Sequence, residues 1–225
     1  MRPSRAIRQG ALRRRAAPFA CRLVIMAREP VAGRVKTRLA REVGISEATR
    51  FYRATTRAML ERLGRQPFWE TILSISPDGS LHTRLLPRGP KRMRQGGGDL
   101  GARMQRPMRD LPPGPVCVIG TDIPAIRVAD VRKAFRLLGR CDAAFGPAED
   151  GGFWLVGQRR RPRVTDPYRG VGWSRADTLV AVLANLAGHA VGLTTRLSDV
   201  DGAADLALTR GAFGRVVQPF RSSAD

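Results

Sequence analysis

The sequence predicts an α/β protein with a mostly parallel central sheet and helices on both faces. Short apolar runs recur along the chain, and longer segments with helical spacing of apolar residues separate most of them. Connections of this length join parallel strands by way of a helix. A hydrophobic fraction of 43% over 225 residues supplies the core that such a sheet requires.

The strands are predicted from apolar runs that end at turn residues. In chain order these runs are CRLVIMA, ETILSIS, RMRQ, PVCVIG, CDAAFG, FWLVGQ and AVGLTTRL. The turn PDGS ends the second run, and the loop PAEDG separates the fifth from the sixth. We expect RMRQ to be a short edge strand.

The helices are predicted from apolar residues that recur on one face. The first, SEATRFYRATTRAMLERLG, has Ser46 as its expected N-cap and Gly64 as its end. A second follows the loop GGGDLG and contains Pro107, which we expect to kink or shorten it. Two more are predicted from Val128 to Leu138 and over SRADTLVAVLANLAG. A last helical segment follows in DVDGAADLALT.

The net charge of +21 comes almost entirely from arginine, since lysine occurs only at Lys36, Lys91 and Lys133. This skew, with abundant Ala, Gly and Pro, indicates a coding bias more than a surface selected for nucleic acid. Residues 1–20 are basic and lack the apolar stretch of a secretory signal, so we expect either a disordered N-terminal extension or a true start downstream, near Met26. A single domain is predicted over 21–215, followed by a tail at 216–225.

The three cysteines favour a reducing compartment, and we expect a cytoplasmic protein. They lack CxxC spacing, and His82 and His189 have no neighbouring ligands, so a zinc site is not predicted. No apolar run approaches the roughly 18–20 residues that a membrane-spanning helix needs. The sequence does not predict an oligomeric state.

The candidate site lies beyond the carboxyl ends of the strands, where sheets of this class bind ligands. Basic residues follow the first predicted strand, Asp122 follows PVCVIG, the acidic turn PAEDGG follows CDAAFG, and Asp199 and Asp201 follow the last strand. Carboxylates bind a divalent cation and Lys or Arg binds phosphate oxygens, so the set suits a diphosphate with Mg²⁺ or Mn²⁺. The first loop has neither GxGxxG nor GxxxxGK[ST], which argues against two common phosphate-binding designs.

Each motif also has a purely structural interpretation. Asp122 could stabilise the turn before Pro124, and Asp199 and Asp201 could cap the last helix. The basic residues after the first strand could simply open a helix that faces water. Co-location favours the ligand site, because capping alone gives no reason for all these loops to share one edge of the sheet.

The chain resembles a bacterial family of GT-A-like proteins that is linked to arsenosugar biosynthesis and labelled as glycosyltransferase. The resemblance spans about residues 21–207 and extends more distantly to molybdenum-cofactor and phospholactate guanylyltransferases. It rests on AREPVAGRVKTRL, GGGDLGARM, VIGTDIP, GPAEDGGFWLVG, the pair Trp173-Ser174 and DVDGAADL, in that order. It implies the nucleotide-diphospho-sugar transferase fold, with a nucleotide-sugar donor and a small-molecule acceptor.

The resemblance also implies roles for individual residues. Residues near the nucleotide base or phosphates would be Arg28, Gly33, Lys36 and Arg38, with Asp99 and Arg103 in a second loop over the pocket. Asp122 would be the first metal ligand, and Asp201, with Asp199, the second. Asp150 and Glu149 would face the acceptor. The chain departs from the family pattern in having Arg175 after Trp173-Ser174, and Gly202-Ala203 after Asp201; both changes sit at helix starts.

Three functions remain open at this point. A glycosyltransferase would use Asp150, or as second choice Glu149, as the base that activates a hydroxyl acceptor. A nucleotidyltransferase would join a nucleoside triphosphate to a phosphorylated small molecule and would bind that phosphate through Arg103 and the Arg159–Arg163 run. A non-catalytic protein would bind nucleic acid through the basic extension. The acidic loop favours a hydroxyl acceptor, because like charges repel.

Overall fold

The computed structural model describes residues 19–198. Within them, seven strands form one sheet, and five α-helices accompany it. The strands are β1 (Arg22–Arg28), β2 (Glu70–Ser76), β3 (Lys91–Arg94), β4 (Val116–Ile119), β5 (Ala143–Pro147), β6 (Phe153–Gln158) and β7 (Val191–Leu193). The helices are α1 (Thr37–Val43), α2 (Ile45–Leu63), α3 (Leu100–Asp110), α4 (Val128–Leu137) and α5 (Thr178–Ala184).

The strand order is β3-β2-β1-β4-β6-β5-β7. Only β6 runs antiparallel to its neighbours among the paired strands described, while β1, β2, β3 and β4 pair in parallel and β5 pairs in parallel with β7. The predicted α/β class and mostly parallel sheet are therefore confirmed. The third predicted run does form an edge strand, because β3 ends the sheet.

Helices cover both faces of the sheet because side chains alternate along each buried strand. On β1, Leu23, Ile25 and Ala27 join the core that α2 and α4 close. Val24 points to the opposite core, which contains the buried methionines of α3 and residues of α5. Strands buried on both faces are continuous apolar runs, and this is the pattern that the sequence displays.

Three helix predictions need correction. Ser46 is not an N-cap, since α2 begins one residue earlier, after Gly44, which has a φ of 86° and makes no side-chain cap. Pro107 does not shorten α3, which continues to Asp110 because Met104 and Met108 anchor it in the core. The helix predicted from Ser174 begins only at Thr178.

Helix α1 was not among the predicted helices, although one interpretation of the basic residues was that they open a helix; it follows directly after the basic turn. The strand predicted over AVGLTTRL shrinks to three residues, Val191–Leu193. Among residues 19–198, no helix combines the length and the apolar character needed to cross a bilayer.

Arg22 ties the start of β1 to the segment that precedes β4. Its side chain is 3% exposed, and Nη1 lies 3.0 Å from the carbonyl oxygen of Pro112 and 3.1 Å from those of Ala20 and Pro113. Nε lies 3.3 Å from a carboxylate oxygen of Glu70. A buried guanidinium is therefore satisfied by backbone carbonyls as well as by a carboxylate.

We expect Arg22→Met to lower the free energy of unfolding by about 1–3 kcal/mol, because the carbonyl oxygens of Ala20 and Pro113 lose this side-chain donor and Glu70 keeps, among the described residues, only Lys91 as a cationic partner. Urea denaturation measures the change. Arg57→Met is the matched control: Arg57 lies on the exposed face of α2, and its loss should cost no more than about 0.5 kcal/mol. Equal losses in the two variants would contradict the role given to Arg22.

Candidate active site

A cavity of about 840 Å³ opens at the carboxyl ends of β1, β2 and β4. Arg28, Ser76 and Ile119, at the ends of these strands, line it. Because β6 runs in the opposite direction, its first residues, Phe153 and Trp154, lie at the same edge and also line the cavity. The position agrees with the expectation that the site lies beyond the carboxyl ends of the strands.

The structure brings most of the sequence-predicted site residues to this cavity. The lining includes Arg28, Lys36, Arg38, Arg103, Asp122 and Asp150. Gly33, Asp99 and Glu149 are described but do not line it. Asp199 and Asp201 lie outside the described residues, so their predicted part in a metal site remains a prediction.

Lys36 and Asp122 form an ion pair that connects the loops after β1 and β4. The ammonium Nζ lies 2.7 Å from Oδ1 of Asp122, and the lysine side chain is only 7% exposed, whereas that of Asp122 is 57% exposed. Lys36 has the left-handed conformation, with φ 47° and ψ 49°, immediately before α1. A non-glycine residue rarely adopts this conformation, and such strain is concentrated at functional sites.

The hydroxyl of Tyr52, on α2, forms hydrogen bonds to the ends of both segments that carry this ion pair. It accepts a hydrogen bond from the backbone N–H of Arg28 at 2.8 Å and donates to the Arg28 carbonyl oxygen at 3.1 Å. Thr121, the neighbour of Asp122, donates to the same hydroxyl at 3.3 Å. Burial raises the pKa of Tyr52, so the phenol stays neutral and able to donate.

Basic residues outnumber acidic ones in the lining. Six are basic, namely Arg28, Arg34, Lys36, Arg38, Arg103 and Arg175, and two are acidic, Asp122 and Asp150. Four of the six basic residues belong to β1, α1 or the loop between them. Such an excess of positive charge attracts polyanionic ligands and, through guanidinium and ammonium groups, binds phosphate oxygens.

The donor set for a divalent cation is incomplete within the described residues. Residues 19–198 contain no group of three or more His, Cys, Asp or Glu side chains placed to hold a metal. Asp122 offers an exposed carboxylate at the cavity, which is the hard oxygen ligand that Mg²⁺ prefers. One protein carboxylate supplemented by phosphate oxygens is a common arrangement for Mg²⁺, so the residues present are compatible with such an ion.

The turn PAEDGG is fixed against the segment before α5. Asp150 Oδ1 accepts a hydrogen bond from the N–H of Gly152 at 2.9 Å, and Gly151 O accepts one from Leu179 N at 3.0 Å. Gly151 has a φ of 86°, and a Cβ there would lie 2.0 Å from the carbonyl oxygen of Ala176. Glycine is therefore required, and the turn presents the Asp150 carboxylate to the cavity.

Asp99 is placed as a helix cap rather than in the cavity lining. Its Oδ1 accepts a hydrogen bond from Ala102 N at 2.8 Å, at the start of α3, and its Oδ2 accepts one from the indole N–H of Trp173 at 3.0 Å. These two donors, the backbone N–H first, hold the pKa of Asp99 below its ordinary value.

The sequence did not predict the hydrogen bonds by which Tyr52 and Gln95 support the site. Tyr52 was assigned only to an apolar helix face, and Gln95 to an edge strand. Gln95 is buried, and its amide donates to the carbonyl oxygens of Ala27 and Ser74, which braces the ends of β1 and β2. The polar atoms of a buried Tyr or Gln need partners, but the sequence does not say which partners they have.

Comparisons with known proteins agree with this architecture. The model of a family described as "Uncharacterized protein conserved in bacteria" (DUF2064) matches residues 59–175. The chain belongs to this family. No curated protein is significantly similar to it in sequence.

A similar solved structure is that of a Desulfovibrio desulfuricans G20 protein, provisionally named a nucleotide-diphospho-sugar transferase. It is 30% identical, the match covers 88% of this chain and 89% of that one, and the TM-score is 0.77. The fold also occurs in CMP:2-keto-3-deoxy-manno-octonic acid synthetase complexed with CTP, at 15% identity, coverage of 88% and 100%, and a TM-score of 0.55.

The 4-diphosphocytidyl-2C-methyl-D-erythritol synthase of Anaerococcus prevotii DSM 20548 has the same fold. It is 11% identical, with coverage of 88% and 100% and a TM-score of 0.57. The DUF2064 chain therefore has a nucleotide-diphospho-sugar transferase-like fold. At 15% and 11% identity, the similarity to the two synthetases establishes the fold alone.

We expect Tyr52→Phe to lower the free energy of unfolding by about 1–3 kcal/mol, because the Arg28 N–H loses its buried acceptor. Chemical denaturation measures this loss. Tyr168→Phe is the matched control: the Tyr168 hydroxyl is buried without a hydrogen-bond partner among the described residues, so its removal should be neutral or stabilising. The reverse order of stability would contradict the role given to Tyr52.

Proposed function

We propose that the protein is a metal-dependent glycosyltransferase that uses a nucleotide-diphospho-sugar donor and a small hydroxyl acceptor. The observation that carries the proposal is the Lys36–Asp122 pair in a cavity with a positive lining. A diphosphate that is bound together with a divalent cation needs two neighbouring groups: a cationic side chain that donates to the phosphate oxygens and a carboxylate that holds the metal. The relative from Desulfovibrio desulfuricans supports the choice of a sugar nucleotide, because this chain matches it over most of both lengths.

Residues of the β1–α1 connection would bind the diphosphate. Lys36 would donate to its oxygens, assisted by the guanidinium groups of Arg28 and Arg38 at the cavity surface. Asp122 would hold Mg²⁺ or Mn²⁺, with Asp199 and Asp201 as its further proposed ligands. The bound ion would stabilise the negative charge of the departing nucleoside diphosphate. Arg103 would contact the donor from the start of α3.

Asp150 would act as the general base that removes the proton of the acceptor hydroxyl. Its carboxylate lines the cavity, Oδ1 accepts the hydrogen bond from Gly152 N, and within residues 19–198 Oδ2 has no hydrogen-bond donor. Glu149, the second candidate, does not line the cavity, which favours Asp150. The acceptor itself, and the link to arsenosugar synthesis that the sequence resemblance implies, stay predictions.

A nucleotidyltransferase is the alternative, and the shared fold with two cytidylyl-type synthetases is the observation in its favour. The acceptor phosphate would need its own cations. Arg103 and Arg175 line the cavity, but Arg159–Arg163 do not. Arg159 forms an ion pair with Asp142, and Arg160 donates to the carbonyl oxygens of Pro112 and Gly114. Most of the arginines that the sequence suggested for binding an acceptor phosphate are therefore absent from the cavity lining.

The third candidate, a non-catalytic nucleic-acid-binding protein, depends on the basic extension, of which residues 1–18 lie outside the described residues. No observation at the cavity favours it. Its specific expectation is salt-sensitive binding of a polynucleotide that disappears when residues 1–20 are removed.

Donor binding tests the first part of the proposal. We expect Mg²⁺ with a UDP-, GDP- or CDP-sugar to raise the melting temperature of the wild-type protein, and nucleoside triphosphates to raise it less. Lys36→Met should weaken binding of the best nucleoside diphosphate about tenfold or more in isothermal titration calorimetry, since a charge-assisted hydrogen bond to phosphate is lost.

Lys133→Met is the control for this experiment, because Lys133 is an exposed lysine of α4 that does not line the cavity. Asp122→Asn should remove the Mg²⁺-dependent part of the shift. A thermal shift with a triphosphate and none with any sugar nucleotide would favour the nucleotidyltransferase. A metal-dependent shift that survives in Asp122→Asn would contradict the metal assignment.

Replacement of the proposed base tests the second part. We expect Asp150→Asn to keep donor affinity and to reduce release of nucleoside diphosphate from the sugar nucleotide by about 10²- to 10⁴-fold, because a water molecule or hydroxyl is no longer deprotonated. Product release is measured by coupled assay. Glu149→Gln is the matched control and should keep turnover; the opposite pattern would transfer the role of base to Glu149.

A further inference from the structure

The cavity has a second wall that the binding of diphosphate does not use. This wall consists of Leu100, Met104, Phe153 and Trp173, which all line the cavity, and it is called the aromatic wall after its two ring-bearing members. Leu100 is 45% exposed, a large fraction for an apolar side chain at the start of a helix. The wall joins the start of α3, the start of β6 and the segment before α5, whereas the Lys36–Asp122 pair belongs to the loops after β1 and β4.

Trp173 is fixed through its indole nitrogen. The N–H donates to Asp99 Oδ2 at 3.0 Å, and Asp99 is itself anchored because Oδ1 accepts the N–H of Ala102 at 2.8 Å. The indole is therefore coupled to the first turn of α3. Both oxygens of Asp99 have donors, and a carboxylate is in any case a poor group to place beside phosphate.

Trp173 is also fixed through its ring. A Cβ at Gly101 would lie 2.7 Å from Cζ2 of Trp173 and 2.7 Å from Cβ of Tyr168, so only glycine permits this approach of α3. The rings of Tyr168 and Trp173 have centroids 5.8 Å apart and planes tilted by 50°, a common geometry for aromatic pairs. The helix and the tyrosine thus support the indole on the side of the core.

The backbone around Trp173 is held by Thr178, which is 5% exposed. Its hydroxyl donates to the carbonyl oxygen of Gly172 at 3.0 Å and accepts from the N–H of Arg175 at 3.2 Å. Between them, Ser174 has a φ of 58°. This left-handed conformation is costly for serine, and the surrounding hydrogen bonds maintain it.

We propose that the aromatic wall binds the apolar face of a sugar ring, with Trp173 as the contact surface and Asp99 as the residue that positions it. The inference rests on the proposed function and names the chemistry of its sugar site. A pyranose presents C–H groups on one face and hydroxyls at its edge. The indole suits the C–H face, and Asp150 suits a hydroxyl at the edge.

Contacts place the turn that contains Asp150 against the segment that follows Trp173, and both Asp150 and Trp173 line the cavity. Gly151, next to Asp150, lies against Ala176, which is three residues from Trp173, and Phe153 begins the strand that follows the same turn. A ring on the indole would therefore lie near the proposed base. The ring belongs either to the donor or to the acceptor; the chemistry is the same for both, and the two sources are distinguished by experiment.

The donor arm compares UDP with UDP-glucose and GDP with GDP-mannose, each with Mg²⁺, by isothermal titration calorimetry. The measured quantity is the ratio of the affinity for the sugar conjugate to the affinity for the diphosphate. We expect Trp173→Leu to lower this ratio about threefold to tenfold, the range of a lost aromatic contact. The acceptor arm uses methyl glucopyranoside and methyl mannopyranoside with saturation-transfer NMR, and Trp173→Leu should remove their signal.

Asp99 is tested through Trp173. Trp173→Phe keeps an aromatic ring but loses the N–H, so it should have a smaller effect than Trp173→Leu. Asp99→Ala also removes the cap of α3, so its effect should be at least that of Trp173→Phe, and the double variant should be no worse than Asp99→Ala, because both changes break the same contact between indole and carboxylate. Multiplied effects in the double variant would overturn the positioning role of Asp99.

Trp69→Phe is the control for losing an indole N–H. Trp69 is buried in the opposite core and donates to the carbonyl oxygen of Leu63 and the hydroxyl of Thr71, without lining the cavity. A loss in either arm that is specific to Trp173 supports the proposal and identifies the source of the ring. Unchanged results in both arms overturn it, as does an equal loss of affinity for diphosphate and conjugate, which would make the wall a nucleotide platform.

The inference and the proposed function can fail separately. A wild-type protein that binds no diphosphate with Mg²⁺ contradicts the proposed function, while the NMR arm still measures sugar contact at the wall. A wild-type protein that binds a diphosphate but discriminates no sugar at Trp173 contradicts the inference alone.

Discussion

The ion pair of Lys36 and Asp122 is the contact around which the ends of β1 and β4 are organised. The two residues belong to different loops, and the ammonium is nearly buried while the carboxylate faces the cavity. Desolvation of a lysine is unfavourable unless a partner compensates it. The pair therefore constrains the loops to one another, and Tyr52 adds a neutral brace beneath them through hydrogen bonds to Arg28 and Thr121. A ligand that carries both a cation and phosphates can replace each half of the pair with a stronger partner.

The reversed strand β6 decides which other groups reach the site. A sheet that was parallel throughout would carry the start of β6 to the opposite edge. Since β6 pairs antiparallel with β4 and β5, the turn that contains Asp150 and the residues Phe153 and Trp154 lie at the carboxyl edge. The same reversal lets a short turn, rather than a helix, connect β5 to β6. The position of the acidic turn thus follows from the sheet topology, and so does the side of the cavity on which we propose that the acceptor binds.

Local patterns predicted much of this architecture, and tertiary contacts decided the rest. Strand β2 coincides with the predicted run ETILSIS, because its Ile72, Leu73 and Ile75 are buried and mark it as a strand covered on both faces. Ser46 has the chemistry of a cap, yet the residue at the cap position is Gly44, two residues earlier. Tyr52 lies 24 residues from Arg28 and 69 from Thr121 in sequence, so no local pattern could indicate that they meet. Asp99 was predicted as a polar member of a loop over the pocket; the structure shows it as the cap of α3, and its contact with Trp173 spans 74 residues, so no local pattern could indicate it.

The cavity has two unlike halves, and their separation has a physical reason. Diphosphate needs positive charge, whereas a base needs a carboxylate whose proton affinity neighbouring cations do not suppress. Cations concentrate in β1, α1 and the loop between them, and the guanidinium of Arg175 on the other side is engaged by Asp177. Arg103 donates to a neutral carbonyl oxygen, that of Gly98, and keeps its positive charge. The pair of Arg175 with Asp177 compensates part of the positive charge in the segment after Trp173, and with the Asp150 carboxylate this makes that half of the cavity better suited to a neutral hydroxylated ring than to a second phosphate.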